Sequence, residues 1–207
     1  MEPYRLDELE FDAVPHRYIV RGREIPGVTS IMRRHGIGFQ GFAPQAALDR
    51  GHYVHEASVM IDEGDLHWPS VPEEWRGYCE GYAAARRAES VRIVAAEARF
   101  WHPEFWYAGT LDRVVLVLRN GKLRVRELKT GDASDVECQV AAYVHARNRW
   151  FPHGLVDDRV GECLRVNANG TFNLWDLDLG DGWRGFSACL VLEERLRRTG
   201  RVLAEAA

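Results

Sequence analysis

The sequence predicts a mixed α/β fold of the α+β kind, in which helices flank a central sheet of about five strands. Helix-type hydrophobic spacing dominates residues 28–88, and β-rich runs replace it after Ser90. Two Asn-Gly dipeptides, at residues 120–121 and 169–170, each lie between β-rich runs and predict hairpins. A helical pattern separates the two hairpins, so we expect mixed strand directions in the sheet and an N-terminal extension made of helices and a hairpin.

Composition places the chain among ordinary globular proteins. Its 207 residues are 46% hydrophobic and 28% charged, with a formal net charge of −4. These values exclude a disordered or fibrous chain, and the net charge by itself does not indicate a nucleic-acid partner. No run approaches the ~20 apolar residues of a membrane helix, and the acidic N-terminus lacks the apolar region of a signal peptide. We therefore expect a cytoplasmic protein with no membrane partner.

Cysteine and lysine usage adds two expectations. The four cysteines, at positions 79, 138, 163 and 189, are isolated, which fits neither a zinc site nor a disulfide framework and predicts buried free thiols. Basic residues comprise 25 Arg and two Lys, Lys122 and Lys129, a ratio typical of coding bias. An ammonium is a compact charge that can lose its proton, and a guanidinium is not, so a retained lysine is a candidate for chemistry.

The first 90 residues predict one hairpin and three helices. The hairpin lies within residues 4–25, with strands at His16–Val20 and Glu24–Ile25 around an Arg21-Gly22 turn. Caps and helix-ending glycines predict helices over residues 28–35, 44–63 and 73–88, the first capped by Thr29 or Ser30. We assign residues 1–90 to the same domain as the core formed by residues 91–207.

The remaining residues predict the sheet and two further helices. The β-rich runs cover residues 91–101, 106–119, 122–128, 159–168 and 171–177. A capping box, Ser134-Asp-Val-Glu137, predicts a helix from about Asp135 to Trp150. A final helix is expected from about Trp183 to Arg198, ending at Gly200.

The first Asn-Gly turn allows a register prediction. If Asn120 and Gly121 are the central residues of a type I′ turn, Asp112 lies opposite Lys129 and diagonal to Glu127. The shared face is apolar along most of its length and ends in two carboxylates and an ammonium, which are costly to bury without compensation. Mg²⁺ would compensate, because it prefers oxygen ligands. A buried ion-pair cluster that holds the two strands together is the alternative.

Four motifs in order resemble the PD-(D/E)XK nuclease superfamily and, more narrowly, its RecB-like exonuclease branch. They match the branch's G-x-x-x-H, G-x-x-D, (D/E)-x-K and Q-x-x-x-Y patterns and read Gly51-His-Tyr-Val-His55, Ala108-Gly-Thr-Leu-Asp112, Glu127-Leu-Lys129 and Gln139-Val-Ala-Ala-Tyr143. The segment Ile25–Ile31 is also similar to one near the start of phage members. The resemblance spans about residues 16–145 and implies a restriction-endonuclease-like core.

The resemblance also implies roles for individual residues. The implied ligands of Mg²⁺ or Mn²⁺ are His55, Asp112, Glu127 and the carbonyl of Leu128. Lys129 would assist the attacking water, and Glu97 would serve a second metal, with an edge-strand glutamate as the alternative. Gln139 and Tyr143 lie one helical turn apart and would orient the lysine or the substrate.

The expected contacts to phosphate are arginines. They are Arg33, Arg34, Arg50 and Arg147. Solvated helix faces explain these positions equally well.

The chain departs from the branch in two respects. Members with an iron–sulfur cluster carry four cysteines, three of them closely spaced, whereas the cysteines here are isolated, so we expect no iron–sulfur cluster. The second acid is Glu127 where the branch more often has Asp, and the additional methylene can alter metal preference.

Together these implications describe a metal-dependent deoxyribonuclease, most simply a phage-type exonuclease of phage or bacterial DNA replication, recombination or repair. Its substrate would be end-bearing DNA, single- or double-stranded, and its protein partner a helicase or an annealing protein. The alternatives are a structure-selective or nicking endonuclease on the same core and a catalytically silent DNA-binding subunit. An exonuclease spares closed circular DNA and an endonuclease does not, which separates the two enzymes.

Overall fold

The computed structural model describes residues 4–199. Within that range the α-helices are α1 (Val28–Arg34), α2 (Gln45–Glu63), α3 (Glu73–Ala88), α4 (Val136–Trp150) and α5 (Leu179–Thr199). The strands are β1 (Leu9–Asp12), β2 (Arg17–Val20), β3 (Arg23–Ile25), β4 (Val91–Trp101), β5 (Ala108–Val117), β6 (Lys122–Lys129), β7 (Val160–Val166) and β8 (Phe172–Asp178). Among these residues no helix has both the length and the apolar character needed to cross a membrane.

The central sheet has five strands in the order β4-β5-β6-β7-β8, and its strand directions are mixed. β6 and β7 run parallel, and every other neighbouring pair is antiparallel. Parallel neighbours need a long crossover, and α4 supplies it between β6 and β7. The predicted five-stranded mixed sheet with flanking helices is therefore confirmed.

A separate three-stranded antiparallel sheet, β1-β2-β3, contains the predicted N-terminal hairpin. The hairpin around Arg21 and Gly22 is present, and both residues adopt positive φ, 52° and 73°. The sequence analysis missed β1, which pairs with β2 from Leu9 opposite Val20. The backbone amide of Ala108 donates to the Pro26 carbonyl at 3.0 Å, so the small sheet is joined to the start of β5.

Helices cover both faces of the central sheet. Buried side chains of α1, α4 and α5 form the larger core with one face of β5, β6 and β7, including Ile31, Val140, Phe186 and Val125. On the other face, side chains of α2 and α3 pack on Leu128 and Leu164. Burying apolar side chains on both faces fixes the central strands, and the ends of these strands carry the charged motifs. All four cysteines are buried and unpaired, as predicted for structural thiols.

The face that α3 covers also contains buried ion pairs. Arg126 bonds Glu162 and Glu89, each at 2.6 Å, and Arg124 bonds Glu162 at 3.0 Å. Charges this deeply buried require partners, because an unpaired ion in a protein interior is strongly destabilising. Arg124 and Arg126 of β6 therefore stabilise the fold on this face of the sheet.

The predicted register of the β5–β6 hairpin is wrong by two residues. Val117 pairs with Lys122, so the loop contains four residues, 118–121, and the Val117 carbonyl accepts hydrogen bonds from Asn120 and Gly121. A type I′ turn needs positive φ at both central positions, and of the two only Gly121 has it, at 68°. A two-residue shift leaves every side chain on its original face, so the predicted grouping of acids survives.

Three helix starts also differ from expectation. The predicted capping box at α4 does not form: the Ser134 hydroxyl donates to Asp132, and Asp135 adopts a left-handed φ of 54° while its carboxylate accepts from the Gly38 amide. α1 is preceded by Gly27 as its cap residue instead of by Thr29 or Ser30. α5 begins at Leu179, four residues before the predicted start, and its predicted end at Gly200 lies outside the described residues.

The protein is expected to lose stability in mild acid because of His102, which is 2% exposed. Its Nδ1 accepts hydrogen bonds from the amides of Glu104 and Phe105, each at 3.2 Å, so the ring must be neutral. Burial, together with the neighbouring His145, lowers the pKa of His102 to about 4. A folded-state pKa below the unfolded value gives stability above pH ~6.5 that is lost as the pH falls toward 4, up to about 3 kcal/mol.

The test is urea unfolding at pH 7 and pH 4.5. His102→Asn keeps an acceptor for the two amides and cannot gain a proton, so it should flatten the pH dependence even if its stability at pH 7 is lower. His153→Asn, at an exposed position, is the control and should leave the dependence unchanged. An unaltered slope in His102→Asn would contradict this assignment.

Candidate metal centre

Five elements bring the predicted site residues together at one end of the central sheet. The contributing side chains are His55 from α2, Glu97 from β4, Asp112 from β5, Glu127 and Lys129 from β6, and Gln139 and Tyr143 from α4. Their contacts divide into two connected groups. One surrounds Asp112, and the other surrounds Glu127.

The first group consists of His55, Glu97 and Asp112. The Nδ1 atom of His55 lies 3.3 Å from Asp112 Oδ1 and 3.7 Å from Glu97 Oε1. One ligand atom from each residue lies within 4.8 Å of the other two, a spacing at which a single ion can touch all three. Burial disfavours the charged imidazole, but Asp112 and then Glu97 outweigh it and raise the pKa of His55 to about 10.

Glu97 reaches this group because β4 is irregular. The pairing of β4 with β5 shifts register between Ile93 and Ala95, and Glu97 itself has a positive φ of 47°. Bulges on edge strands re-aim side chains in this way. The prediction gave Glu97 to a second metal, whereas the structure places it beside the same two residues that would hold the first.

Asp112 is buried and accepts a hydrogen bond of 2.6 Å from the backbone amide of Leu128. Burial alone would raise the pKa of Asp112, but the His55 imidazole, the Leu128 amide and Lys129 together hold it below its ordinary value. The carboxylate is therefore ionised and fixed in position. The predicted role of Leu128 was through its carbonyl oxygen, which stays a prediction; the contact seen is through its amide.

The second group is centred on the side chain of Glu127, whose two carboxylate oxygens lie in different environments. Continuing the β5–β6 register by one residue sets it opposite Asp112. Glu127 is 3% exposed; its Oε1 accepts from Lys129 at 3.0 Å and from Gln139 at 2.8 Å, whereas its buried Oε2 has no hydrogen-bond partner within residues 4–199. Burial and the Asp112 charge raise the pKa of Glu127 to about 7, despite the nearby ammonium.

The donor set fits a divalent cation. Two carboxylates and an imidazole, from Glu97, Asp112 and His55, lie close enough to share one ion and suit a hard or borderline metal, and Mg²⁺ is ordinarily held by one or two carboxylates plus water. The free Oε2 of Glu127 is a buried oxygen that lacks a partner, and a cation next to it would satisfy it. A positive charge there would also relieve the repulsion between Asp112 and Glu127.

Lys129 is held in place by its neighbours. Its ammonium donates to Glu127 Oε1 at 3.0 Å and to the Gln139 side-chain carbonyl at 2.9 Å. Burial works against the charge, but Glu127 and Asp112 outweigh it and raise the pKa of Lys129, so the side chain is an ammonium. Gln139 also donates to the Tyr143 hydroxyl at 2.8 Å, so Lys129 and both residues of the predicted helix pair are joined by hydrogen bonds, and their role in orienting the lysine stays a prediction.

A close contact with Tyr143 explains why the first position of the G-x-x-D motif, Gly109, is a glycine. A Cβ added there would lie 2.4 Å from Cε1 of Tyr143, a buried ring on α4. Only a residue without a side chain lets the tyrosine approach β5 and reach Gln139. The glycine of the motif therefore supports the lysine through Tyr143 and Gln139.

Gly109→Ala is expected to destabilise the protein by about 1–3 kcal/mol, because the Tyr143 ring must move out of a packed position. Chemical denaturation of the purified variant measures this. Gly51→Ala is the matched control: the added Cβ meets nothing within 4 Å in the interior of α2, so stability should rise by about 0.5–1 kcal/mol. A neutral or stabilising Gly109→Ala would show that Tyr143 is not constrained there.

The four predicted phosphate-binding arginines occupy different environments. The Nε of Arg50 is 3.5 Å from the hydroxyl of Thr130, the residue after Lys129, and its guanidinium lies over the Tyr78 ring at 5.2 Å. Arg34 pairs with Glu193 of α5, and its neighbour Arg33 lies at the same end of α1. Arg147 is buried and donates to the Gly154 carbonyl, where it braces the loop after α4.

Sequence reasoning missed the residues behind the site. Arg113 and Ser58 are buried, the side chain of Asp62 is 8% exposed, and together they connect α2 to β5 beneath the first group. Their signal in the sequence is weak: Arg113 directly follows the predicted acid Asp112, and nothing marks Asp62 or Ser58 among ordinary helix residues.

Neither a scan against protein-family models nor a search of curated proteins finds a match to this chain.

Proposed function

We propose that this protein is a metal-dependent DNA nuclease. The observation that supports it most is the convergence of Asp112 and Glu127, two buried carboxylates on adjacent strands, beside the Lys129 ammonium. Among the described residues one carboxylate oxygen of Glu127 has no hydrogen-bond partner, although lysine and glutamine occupy the other. The Asp112 carboxylate repels that of Glu127, and a cation between them would relieve the repulsion, so the arrangement favours a site that takes up a cation.

His55, Glu97, Asp112 and Glu127 would hold the ion. Bound Mg²⁺ or Mn²⁺ would supply Lewis-acid polarisation of a phosphate oxygen and a lowered pKa for a water molecule. Carboxylates and a single histidine fit this hard-ion chemistry better than a soft metal, which prefers cysteine. The four cysteines lie in the core, and the absence of an iron–sulfur cluster stays a prediction.

Two cationic side chains of the protein would then position the phosphate groups of the substrate. The Lys129 ammonium, held by Glu127 and Gln139, provides a fixed positive charge at the edge of the carboxylates, where it can stabilise charge that develops on a phosphate group. Arg50, which contacts the Thr130 hydroxyl just after Lys129 in the chain, is a second cation that would suit a neighbouring phosphate of the same strand. A phosphodiester is a substrate that both cations and a metal would suit, because each carries or balances charge on phosphate oxygens.

The choice of DNA and of an exonuclease rests on the motif resemblance. An endonuclease on the same core is the second candidate, since the carboxylates and the lysine serve both reactions. A catalytically silent subunit is disfavoured, because Lys129 retains contacts to both Glu127 and Gln139. A cytoplasmic location and a helicase or annealing partner remain predictions.

The test incubates purified protein with linear and closed circular DNA, single- and double-stranded, in Mg²⁺, in Mn²⁺ and in EDTA. We expect metal-dependent loss of linear DNA, no activity in EDTA and intact closed circles. Cleavage of closed circles would favour the endonuclease. No cleavage of any DNA in either metal would contradict the proposal.

A further inference from the structure

The residues beneath the metal centre form a connected, buried network. Arg113 is 1% exposed, and all three of its guanidinium nitrogens are engaged. Its Nε donates to Asp62 Oδ2 at 2.8 Å and its Nη2 to the Ser58 hydroxyl at 2.6 Å. Its Nη1 donates to both Glu97 and the backbone carbonyl of Asp112.

These bonds reach each member of the first group. Arg113 binds Glu97 directly at 3.2 Å and the main chain of Asp112 at 2.7 Å. The Ser58 hydroxyl, which accepts from Arg113, donates to the His55 carbonyl at 2.6 Å. One guanidinium therefore links three residues that come from three elements, α2, β4 and β5.

Asp62 anchors the guanidinium from below. Its Oδ2 accepts from Arg113 and from the Tyr82 hydroxyl, each at 2.8 Å, and its Oδ1 accepts from Arg86 at 2.8 Å. The carboxylate thus bonds α2 to α3 as well as to β5. A carboxylate held by three donors cannot swing, so the fork of Arg113 has a fixed direction.

We propose that Arg113 is a positioning residue that sets the relative places of His55, Glu97 and Asp112, with Asp62 as its anchor and Ser58 as its link to α2. The inference rests on the proposed metal centre. Partners of this kind typically change metal affinity 10- to 100-fold without contacting the ion. Lysine cannot replace the arginine, because one ammonium lacks the planar fork that addresses all four acceptors at once.

A merely structural role makes a different prediction. If Arg113 only stabilises the packing of α2 on β5, Arg113→Lys lowers the unfolding temperature and leaves the affinity of the folded protein for metal unchanged. Arg124→Lys is the matched control, since Arg124 is also a buried sheet arginine between two carboxylates, Glu162 and Asp176, and contacts none of the three ligand residues.

The experiment is calorimetric titration of folded, metal-free protein with Mn²⁺, with thermal unfolding recorded separately. We expect Arg113→Lys to bind Mn²⁺ at least 10-fold more weakly than wild type, and Arg124→Lys to bind within two-fold of wild type despite a lower unfolding temperature. Ser58→Ala removes a single hydroxyl, should fold, and should weaken Mn²⁺ binding at least three-fold.

The outcomes separate the two proposals. Wild-type protein that fails to bind Mn²⁺ removes the metal centre and this inference with it. Wild-type protein that binds, together with Arg113→Lys of equal affinity, removes the positioning role alone. If Arg113→Lys does not fold, Ser58→Ala decides, and an unchanged affinity in that variant overturns the inference.

Discussion

Replacing Lys129 with methionine is expected to reduce DNA cleavage by about 10²–10⁴-fold while leaving DNA affinity within a few-fold of wild type. Methionine keeps most of the aliphatic stem and removes the ammonium that bonds Glu127 and Gln139. We expect the cleavage rate to fall more than the DNA affinity, because a fixed charge next to the scissile phosphate stabilises the transition state more than the ground state. Single-turnover cleavage and DNA binding in Ca²⁺ measure the two effects separately.

The chain provides a closely matched control. Lys122, its other lysine, lies at the opposite end of β6, is 58% exposed and pairs with Asp157. Lys122→Met should cleave DNA at the wild-type rate. Equal rates for Lys129→Met and Lys122→Met would remove Lys129 from the proposed chemistry.

Asp112→Asn is expected to weaken Mn²⁺ binding by at least about 100-fold and to abolish detectable cleavage. The substitution preserves shape and an oxygen that can accept the Leu128 amide, but it removes the charge that faces His55 and Glu127. Burying a carboxylate here is costly unless a cation compensates it, so the charge is the part of the residue that the metal requires. Mn²⁺ titration and cleavage assays give the two readouts.

Stability provides the second check on this variant. Without metal, Asp112→Asn removes the repulsion that helps to raise the pKa of Glu127, and it also removes the partner of His55, so its net change in stability should be small.

Asp176→Asn is the control for metal binding: its carboxylate is 64% exposed and pairs with Arg124, so the substitution should leave metal binding unchanged. A wild-type Mn²⁺ affinity in Asp112→Asn would show that the ion, if bound, lies elsewhere.

Much of the fold was readable because its signals are local. The two Asn-Gly turns, the change from helical to β patterning near Ser90 and the helix-ending glycines predicted the sheet and most helices. The misses occurred where tertiary contacts override local preference. Ser134, the predicted cap of α4, donates its hydroxyl to Asp132, while the next residue, Asp135, accepts from the distant Gly38 amide; β1 exists because β2 offers it a pairing edge.

The sequence predicted some parts of the candidate site and not others. Motif order predicted the residues that converge, and the period of two along a strand kept Asp112 and Glu127 on one face even though the turn type was wrong. The position of Glu97 depends on a bulge in an edge strand, which no local pattern specifies. The hydrogen bonds beneath the site join Arg113 to Asp62 and Ser58, which are more than 50 residues earlier in the chain. No motif or periodic spacing in a single sequence predicts such a contact.

The central claim is that the carboxylates of Asp112 and Glu127, with His55 and Glu97, enclose one divalent cation. Diffraction from crystals soaked in Mn²⁺, collected at a wavelength at which manganese scatters anomalously, tests it most directly. We predict one strong anomalous peak between these side chains, with the previously unpartnered Glu127 oxygen turned toward it. Empty density there, together with carboxylates directed away from each other, would contradict the metal centre and the nuclease built on it.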